Sequence, residues 1–130
     1  MRDVAVGWAG GKLAQDVEVA GHGIRSDEEV AKGGEDTGAT PHELLLAALG
    51  SCTAMTLKAY AERKGWPLED VKVTLNAANG EGAYIITRQV ALHGPLDAEQ
   101  RQRLLEIADK CPVHRTLMGE IKINTTPGEV

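Results

Sequence analysis

The apolar residues of this chain concentrate in one segment near its middle, residues 44–60. Thr40 precedes the segment as an N-cap, Pro41 suits the first helical position, and Glu43 stands at capping-box spacing from Thr40. Gly65 marks the C-terminal end. The pattern predicts one helix about 35 Å long. Because the helix is apolar on nearly every side, it must be covered on every side, which a small chain achieves with difficulty.

Short β-strands are predicted on the N-terminal side of this helix. Large apolar residues (Val4, Val6 and Trp8) alternate with small ones over residues 4–8, as in a half-buried strand. Residues 13–20 predict the return strand and residues 22–27 a third, with glycine-containing turns between them. Residues 28–39 are acidic and rich in glycine, which predicts a mobile loop before the helix.

The pattern after the helix predicts a hairpin, two helices and a strand. Two alternating segments flank the turn sequence NGEG, which is typical of a β-hairpin. Asp97 and Gln100 have the spacing of a second helix cap. The predicted elements are strands 71–77 and 84–92, helices 97–110 and 112–118, and a last strand Ile121–Thr125. Since strands and helices are grouped rather than alternating, the class is α+β with antiparallel sheets. No linker is apparent, so we expect a single domain over residues 1–130.

Composition and charge limit the kinds of core, partner and location that we expect for this protein. Aromatic residues make up 3% of the 130 residues and Phe is absent, so the core is aliphatic. The net charge of −5 argues against nucleic acid or an anionic membrane as a partner. The N-terminus has no apolar signal core, and the run 44–49 is too short to span a bilayer. We therefore expect a cytoplasmic protein, in which two cysteines are normally reduced.

The two cysteines stand in different local environments. Cys52 shares its helix face with apolar residues, which disfavours the reactive thiolate, so it can be a plain core residue. Cys111 precedes Pro112 and can cap the short helix, near the basic residues His114 and Arg115. By local chemistry Cys111 is the more reactive of the two, although core packing explains it equally well. Cys111 and His114 alone do not make a zinc site, which needs three or four ligands, and we expect no metal.

Two stretches together resemble the OsmC/Ohr family, the osmotically inducible and organic-hydroperoxide-resistance proteins. They are residues 40–52 (TPHELLLAALGSC) and residues 110–115 (KCPVHR). The order of elements matches over essentially the whole chain. The resemblance implies an OsmC-like fold in which antiparallel sheets wrap around the long central cysteine-bearing helix. It also implies an intertwined homodimer, which would supply the cover that the helix requires.

The resemblance further implies a cysteine-based peroxidase acting on alkyl or fatty-acid hydroperoxides. Cys52 would attack the peroxide and become a sulfenic acid, and Cys111 would condense with it to a disulfide. A dithiol reductant, lipoyl or similar, would reset the pair, and no bound cofactor is expected. The apolar face around Cys52 would then be the substrate pocket, with Leu45, Leu49 and Met55 as its lining.

The residues that activate the thiolate in the family are altered here. The family pairs the first cysteine with an arginine from the N-terminal strands and a glutamate near the helix start. Lys12 stands at the arginine position, with Arg25 and Arg88 as alternatives. Glu43 lies one residue late and nine residues before Cys52, so it either serves a partner chain's site or closes the capping box.

These departures leave a second function open. An OsmC-like dimer that senses oxidants or binds a small apolar ligand, without turnover, fits the same pair of cysteines. A third interpretation is a structural domain with two inert core thiols.

Overall fold

The computed structural model describes residues 1–129. The chain forms two compact units, Met1–Ala47 and the part from Ala48 onward. The division falls inside the long helix α1, Pro41–Lys64. The predicted class, α+β with antiparallel sheets and one long helix, is confirmed.

The N-terminal unit contains a three-stranded antiparallel sheet in the order β1-β2-β3. Its strands are β1 (Ala5–Trp8), β2 (Gln15–Val19) and β3 (His22–Ser26), each close to its predicted position. Val6 lies opposite Val17, which lies opposite Ile24, so one row of apolar side chains crosses the sheet. Val6 is 60% exposed and Ile24 is 54% exposed, so this row is poorly covered.

The loop between β3 and α1 is organised around a buried carboxylate. Asp27 is 4% exposed. Its Oδ2 accepts hydrogen bonds from the Thr37 hydroxyl at 2.6 Å and from the backbone N–H groups of Thr37 and Glu35, and its Oδ1 accepts from Glu28 N–H. The Thr37 hydroxyl, followed by the Glu28 and Thr37 amides, lowers the pKa of Asp27 from 3.8 to about 2. The glycine-rich composition of residues 28–39 predicted a mobile loop, whereas hydrogen bonds to Asp27 hold part of this loop in place.

The N-terminal cap of α1 is formed as predicted. Thr40 Oγ1 accepts from Glu43 N–H at 3.2 Å, and Glu43 Oε1 accepts from Thr40 N–H at 2.8 Å. Gly65, with a φ of +69°, follows the helix and takes the left-handed conformation common after a helix end.

Much of the apolar surface of α1 is not covered within one chain. Its buried residues lie along one face: Leu49, Gly50, Thr53, Leu57 and Ala61. By length and composition the helix meets the criterion for a membrane span, a test that core helices of soluble proteins also pass. The argument that residues 44–49 are too short to span a bilayer therefore does not apply to the whole helix. Small residues extend the apolar part of α1 beyond this run of leucines. Only 28% of its most apolar 18-residue segment is buried.

The C-terminal unit packs one face of α1 against a hairpin and a helix. The hairpin consists of β4 (Asp70–Gly80) and β5 (Ala83–His93), joined through the residue pair Glu81–Gly82. Helix α2, Ala98–Ala108, begins with the predicted capping box of Asp97 and Gln100, and α3 is Pro112–Met118. The buried core of this unit consists of Leu57, Ala61, Leu68, Leu96, Leu104, Ile107 and Ala108.

The predicted last strand is wrong. Residues 120–129 form neither helix nor strand, so Ile121–Thr125 is not a β-strand. Ile121 is 55% exposed and Ile123 is 85% exposed. Alternation of apolar and polar residues favours a strand only where a neighbouring strand accepts its hydrogen bonds, and within residues 1–129 this segment has no such neighbour.

Candidate functional site

The start of α3 brings both cysteines to adjacent backbone amides. Cys111 is the N-cap of the helix and Pro112 takes a first-turn position, as the sequence predicted. The N–H of His114 donates to Cys111 Sγ at 3.3 Å, so the sulfur acts as the capping acceptor. The N–H of Val113 donates to Cys52 Sγ at 3.4 Å. The two sulfurs, 59 positions apart in sequence, are thus held by consecutive amides.

The two thiols differ sharply in exposure. Cys111 is 0% exposed, whereas Cys52 is only partly buried, and both are free thiols. Cys52 is therefore the more accessible of the two cysteines to a molecule from solution. The local sequence favoured Cys111 as the more reactive residue, because neighbours in sequence do not reveal that its side chain is enclosed.

Thr53, the residue after Cys52, lies between Cys111 and the cation of Arg88. Its side chain is 0% exposed. Thr53 Oγ1 donates to the carbonyl of Leu49 at 2.7 Å and lies 3.8 Å from Cys111 Sγ. The same oxygen accepts a hydrogen bond from Arg88 at 3.0 Å. All the hydrogen-bonding capacity of this hydroxyl is therefore in use.

Arg88 supplies the positive charge of this cluster. It lies on β5 opposite Leu75, with its side chain 12% exposed. Besides Thr53, its guanidinium donates to Asp109 at 2.9 Å and lies 3.2 Å from Nδ1 of His114. Because an arginine only donates, Nδ1 of His114 is the acceptor and its Nε2 carries the hydrogen.

The sequence identified Arg88 only as one of three possible cations, from the apolar face that it shares with Ile86 and Val90. Thr53 and Asp109 were missed. A signal for Thr53 existed, since a polar residue one position from Cys52 in an apolar helix requires a hydrogen-bonding partner. Asp109 is exposed and follows α2 directly, and nothing in the local sequence distinguishes it.

The other suggested activating residues lie in the N-terminal unit. Lys12 donates its backbone N–H to Glu35 Oε1 at 3.0 Å. Arg25 is exposed on β3 opposite Asp16. Glu43 is engaged in the capping box with Thr40. A role for these three side chains beside a thiol stays a prediction.

The predicted pocket lining residues differ in exposure. Leu49 is 4% exposed, Leu45 37% and Met55 71%. Met55 lines a surface cavity of the C-terminal unit together with Lys58, Glu62, Asp70 and residues adjacent to them. The assignment of the three to a substrate pocket stays a prediction. Within residues 1–129, no group of three or more His, Cys, Asp or Glu side chains is placed to hold a metal ion.

The fold and the paired cysteines define a class of protein. The family model for OsmC-like protein matches residues 33–126. The chain belongs to the OsmC-like family, as the resemblance in the sequence indicated. A comparison with curated protein sequences gives no match.

Solved structures share the fold at low sequence identity. An OsmC like protein from Mycoplasma pneumoniae is 18% identical with a TM-score of 0.74, over 92% of this chain and 88% of that chain. An organic hydroperoxide resistance protein from Elizabethkingia anophelis is 17% identical with a TM-score of 0.71, over 94% and 91%. An organic hydroperoxide resistance protein OsmC from Legionella pneumophila is 20% identical with a TM-score of 0.62, over 87% and 93%. At these identities the likeness concerns the fold alone.

Proposed function

We propose that this protein is a thiol peroxidase that reduces organic hydroperoxides through Cys52 and Cys111. The observation that carries the proposal is the pairing of a partly exposed thiol with a buried one at consecutive amides of α3. Two similar structures are organic hydroperoxide resistance proteins, which agrees with this chemistry. The reducing equivalents come from a small dithiol of the lipoyl type.

The reaction has three balanced steps. The thiolate of Cys52 attacks the distal oxygen of ROOH, the O–O bond breaks, and the alkoxide takes a proton and leaves as ROH. The product is Cys52 sulfenic acid. The sulfur of Cys111 then attacks the sulfur of the sulfenic acid, the S–O bond breaks, and water leaves. Finally a dithiol reduces the disulfide and is itself oxidised, which returns two free thiols.

The structure supports this division of roles on grounds of access. Cys52 is the thiol that a peroxide can reach, and Cys111 is enclosed. A buried resolving thiol is shielded from over-oxidation by free peroxide. Both sulfurs accept from neighbouring amides of α3, which keeps them in the same part of the C-terminal unit. The amide that bonds Cys52 Sγ is a fixed donor for the charged form of the sulfur.

The central test compares three variants with dihydrolipoamide as reductant and cumene hydroperoxide as substrate. We expect Cys52→Ser to abolish turnover and Cys111→Ser to accumulate the sulfenic acid, seen by mass spectrometry after dimedone trapping. The matched control is Ser51→Ala, an exposed residue of the same helix, which keeps wild-type turnover. Full turnover by Cys52→Ser would rule out the mechanism. We also expect faster reaction with cumene hydroperoxide than with hydrogen peroxide, because the surroundings of Cys52 are largely apolar.

One observation favours a second function, an oxidant sensor without turnover. The carboxylate of Glu43 is occupied by the capping box of its own helix. If it stays there, the site lacks the acidic partner that peroxidatic members of the family use. A sensor would form the Cys52–Cys111 disulfide once per equivalent of peroxide, and dihydrolipoamide would produce no steady-state consumption of peroxide.

The working form in this proposal is a homodimer. Apolar side chains of the N-terminal sheet and of α1 are exposed in one chain, among them Trp8 at 70% and Met55 at 71%. Exposed apolar surface of this extent is typical of an association surface. Analytical ultracentrifugation should give twice the mass of one chain, and Val6→Glu, with its charge on the sheet surface, should weaken the association. A wild-type monomer at all concentrations would contradict this part of the proposal.

A further inference from the structure

The hydroxyl of Thr53 contacts Leu49, Arg88 and Cys111, and the chemistry of these partners determines the donor in each contact. A hydroxyl carries one hydrogen and two lone pairs, an arginine only donates, and a carbonyl only accepts. Arg88 therefore donates to Thr53 Oγ1 at 3.0 Å, and the Thr53 hydrogen points to Leu49 O at 2.7 Å. The remaining lone pair faces Cys111 Sγ at 3.8 Å. With Cys111 protonated, the thiol is the donor of that contact.

Loss of the thiol proton reverses this contact. A thiolate sulfur can only accept, so the lone pair of Thr53 would face a negative charge unless the hydroxyl hydrogen turns toward the sulfur. That turn is a rotation about the Cβ–Oγ1 bond and moves no heavy atom. The carbonyl of Leu49 keeps a partner meanwhile, because the helix bonds it to the N–H of Thr53.

We infer that Thr53 is a catalytic residue of the resolving step, a rotating hydroxyl that stabilises the thiolate of Cys111, and that Arg88 positions it. This inference rests on the proposed function. Cys111 is 0% exposed, and a charged sulfur without water needs hydrogen-bond donors. The N–H of His114 supplies one at 3.3 Å, and the rotated Thr53 hydroxyl supplies the second. The positively charged guanidinium of Arg88 donates to the oxygen of Thr53, which makes the Thr53 hydroxyl a stronger donor.

The step balances without a further reactant. The thiolate of Cys111 attacks Cys52 Sγ, the S–S bond forms and the S–O bond of the sulfenic acid breaks. The departing hydroxide takes the proton that Cys111 released and leaves as water. The hydroxyl of Thr53 then returns to Leu49 O, because a disulfide sulfur is a weak acceptor.

The first test is independent of peroxidase activity. In Cys52→Ala protein, Cys111 is the only thiol, so its S–H stretch gives a single infrared band. We expect Thr53→Val in this background to shift the band to higher frequency, because the thiol loses its acceptor. Thr53→Ser in the same background should retain the band of the Cys52→Ala protein. Thr56→Val, the same substitution on a partly buried threonine three residues along the helix, is the matched control and should leave the band unmoved.

The second test measures the resolving step with both cysteines present. After one equivalent of cumene hydroperoxide, rapid quenching and mass spectrometry follow the sulfenic acid and the disulfide separately. We expect Thr53→Val to slow conversion of sulfenic acid to disulfide about tenfold, equal to about 1.4 kcal/mol. Thr53→Ser should restore the rate, and Thr56→Val should not change it.

The outcomes separate this inference from the proposed function. An unmoved S–H band in Thr53→Val would refute the hydroxyl contact itself, whatever the activity. A shifted band with a wild-type rate of disulfide formation would refute the role in the resolving step and leave the peroxidase intact. A wild-type protein that forms no disulfide with peroxide would refute the proposed function, and the resolving role with it, while the shifted band would still establish the contact.

Discussion

Replacement of Arg88 by methionine tests which contacts of the cluster contribute to stability. Methionine keeps an unbranched apolar stem on β5 and removes the guanidinium. The lost contacts are the bond to buried Thr53 at 3.0 Å, the bond to His114 Nδ1 at 3.2 Å, and the ion pair with Asp109 at 2.9 Å. They differ in burial, because Thr53 is 0% exposed and the Asp109 side chain is 70% exposed.

Burial sets the expected magnitudes. A hydrogen bond to a charged group contributes about 1.5–3 kcal/mol, and an exposed ion pair contributes about 0–1 kcal/mol. The bond to buried Thr53 alone accounts for about 1.5–3 kcal/mol, and the bond to His114 and the ion pair add to it. We therefore expect Arg88→Met to lower the free energy of unfolding by at least about 1.5 kcal/mol and Asp109→Asn by less than about 1 kcal/mol.

The assay is urea unfolding followed by circular dichroism and by tryptophan fluorescence, with coincident transitions required. A double-mutant cycle of Arg88→Met with Thr53→Val isolates the buried contact and should give a coupling of about 0.5–3 kcal/mol. Two results would refute the reasoning: additive effects of Arg88→Met and Thr53→Val, or an Asp109→Asn variant as destabilised as Arg88→Met.

Further predictions concern single residues. The folded-state pKa of Asp27 is depressed from 3.8 to about 2. The ionised carboxylate therefore stabilises the folded state above pH 3.8, and this contribution is lost as the pH falls toward about 2. The stability difference between wild type and Asp27→Asn in urea should therefore be widest at neutral pH and narrow on acidification; a constant difference would contradict this origin. Asp97→Ala removes the cap of α2 and should lower the free energy of unfolding by about 1 kcal/mol in the same assay, whereas Asp97→Ser should recover most of it. Leu104→Ala, at a site 0% exposed in the core, should lower it by about 2–5 kcal/mol, and a loss below 1 kcal/mol would mean that the site is not well packed.

The local elements were predictable because their causes are local. Both capping boxes join residues three positions apart, and the β4–β5 turn lies between two alternating segments. The prediction of the last strand was wrong because a strand does not depend on local sequence alone. Its alternation is real, but a strand also needs a neighbour, and sequence alternation does not supply one.

The candidate site was only partly predictable. The two cysteines were identified through a resemblance that spans the chain, whereas local chemistry ranked Cys111 as the more reactive. Cys111 is buried because α1 and α3 lie together, and this depends on the tertiary structure. Arg88 was recognised as an arginine on an apolar face, but its partner Thr53 lies 35 residues away and on a different element.

The sequence by itself determined the order of elements, the caps of α1 and α2, and the position of Cys111 at the start of α3, since each depends on backbone propensities and hydrogen bonds within a few residues. Only the tertiary structure decided that one helix start holds both sulfurs, and that Cys52 is the accessible thiol. It also decided that Arg88 reaches Cys111 through the hydroxyl of Thr53. Burial and the direction of a hydrogen bond are properties of packed neighbours, and those neighbours come from distant parts of the chain.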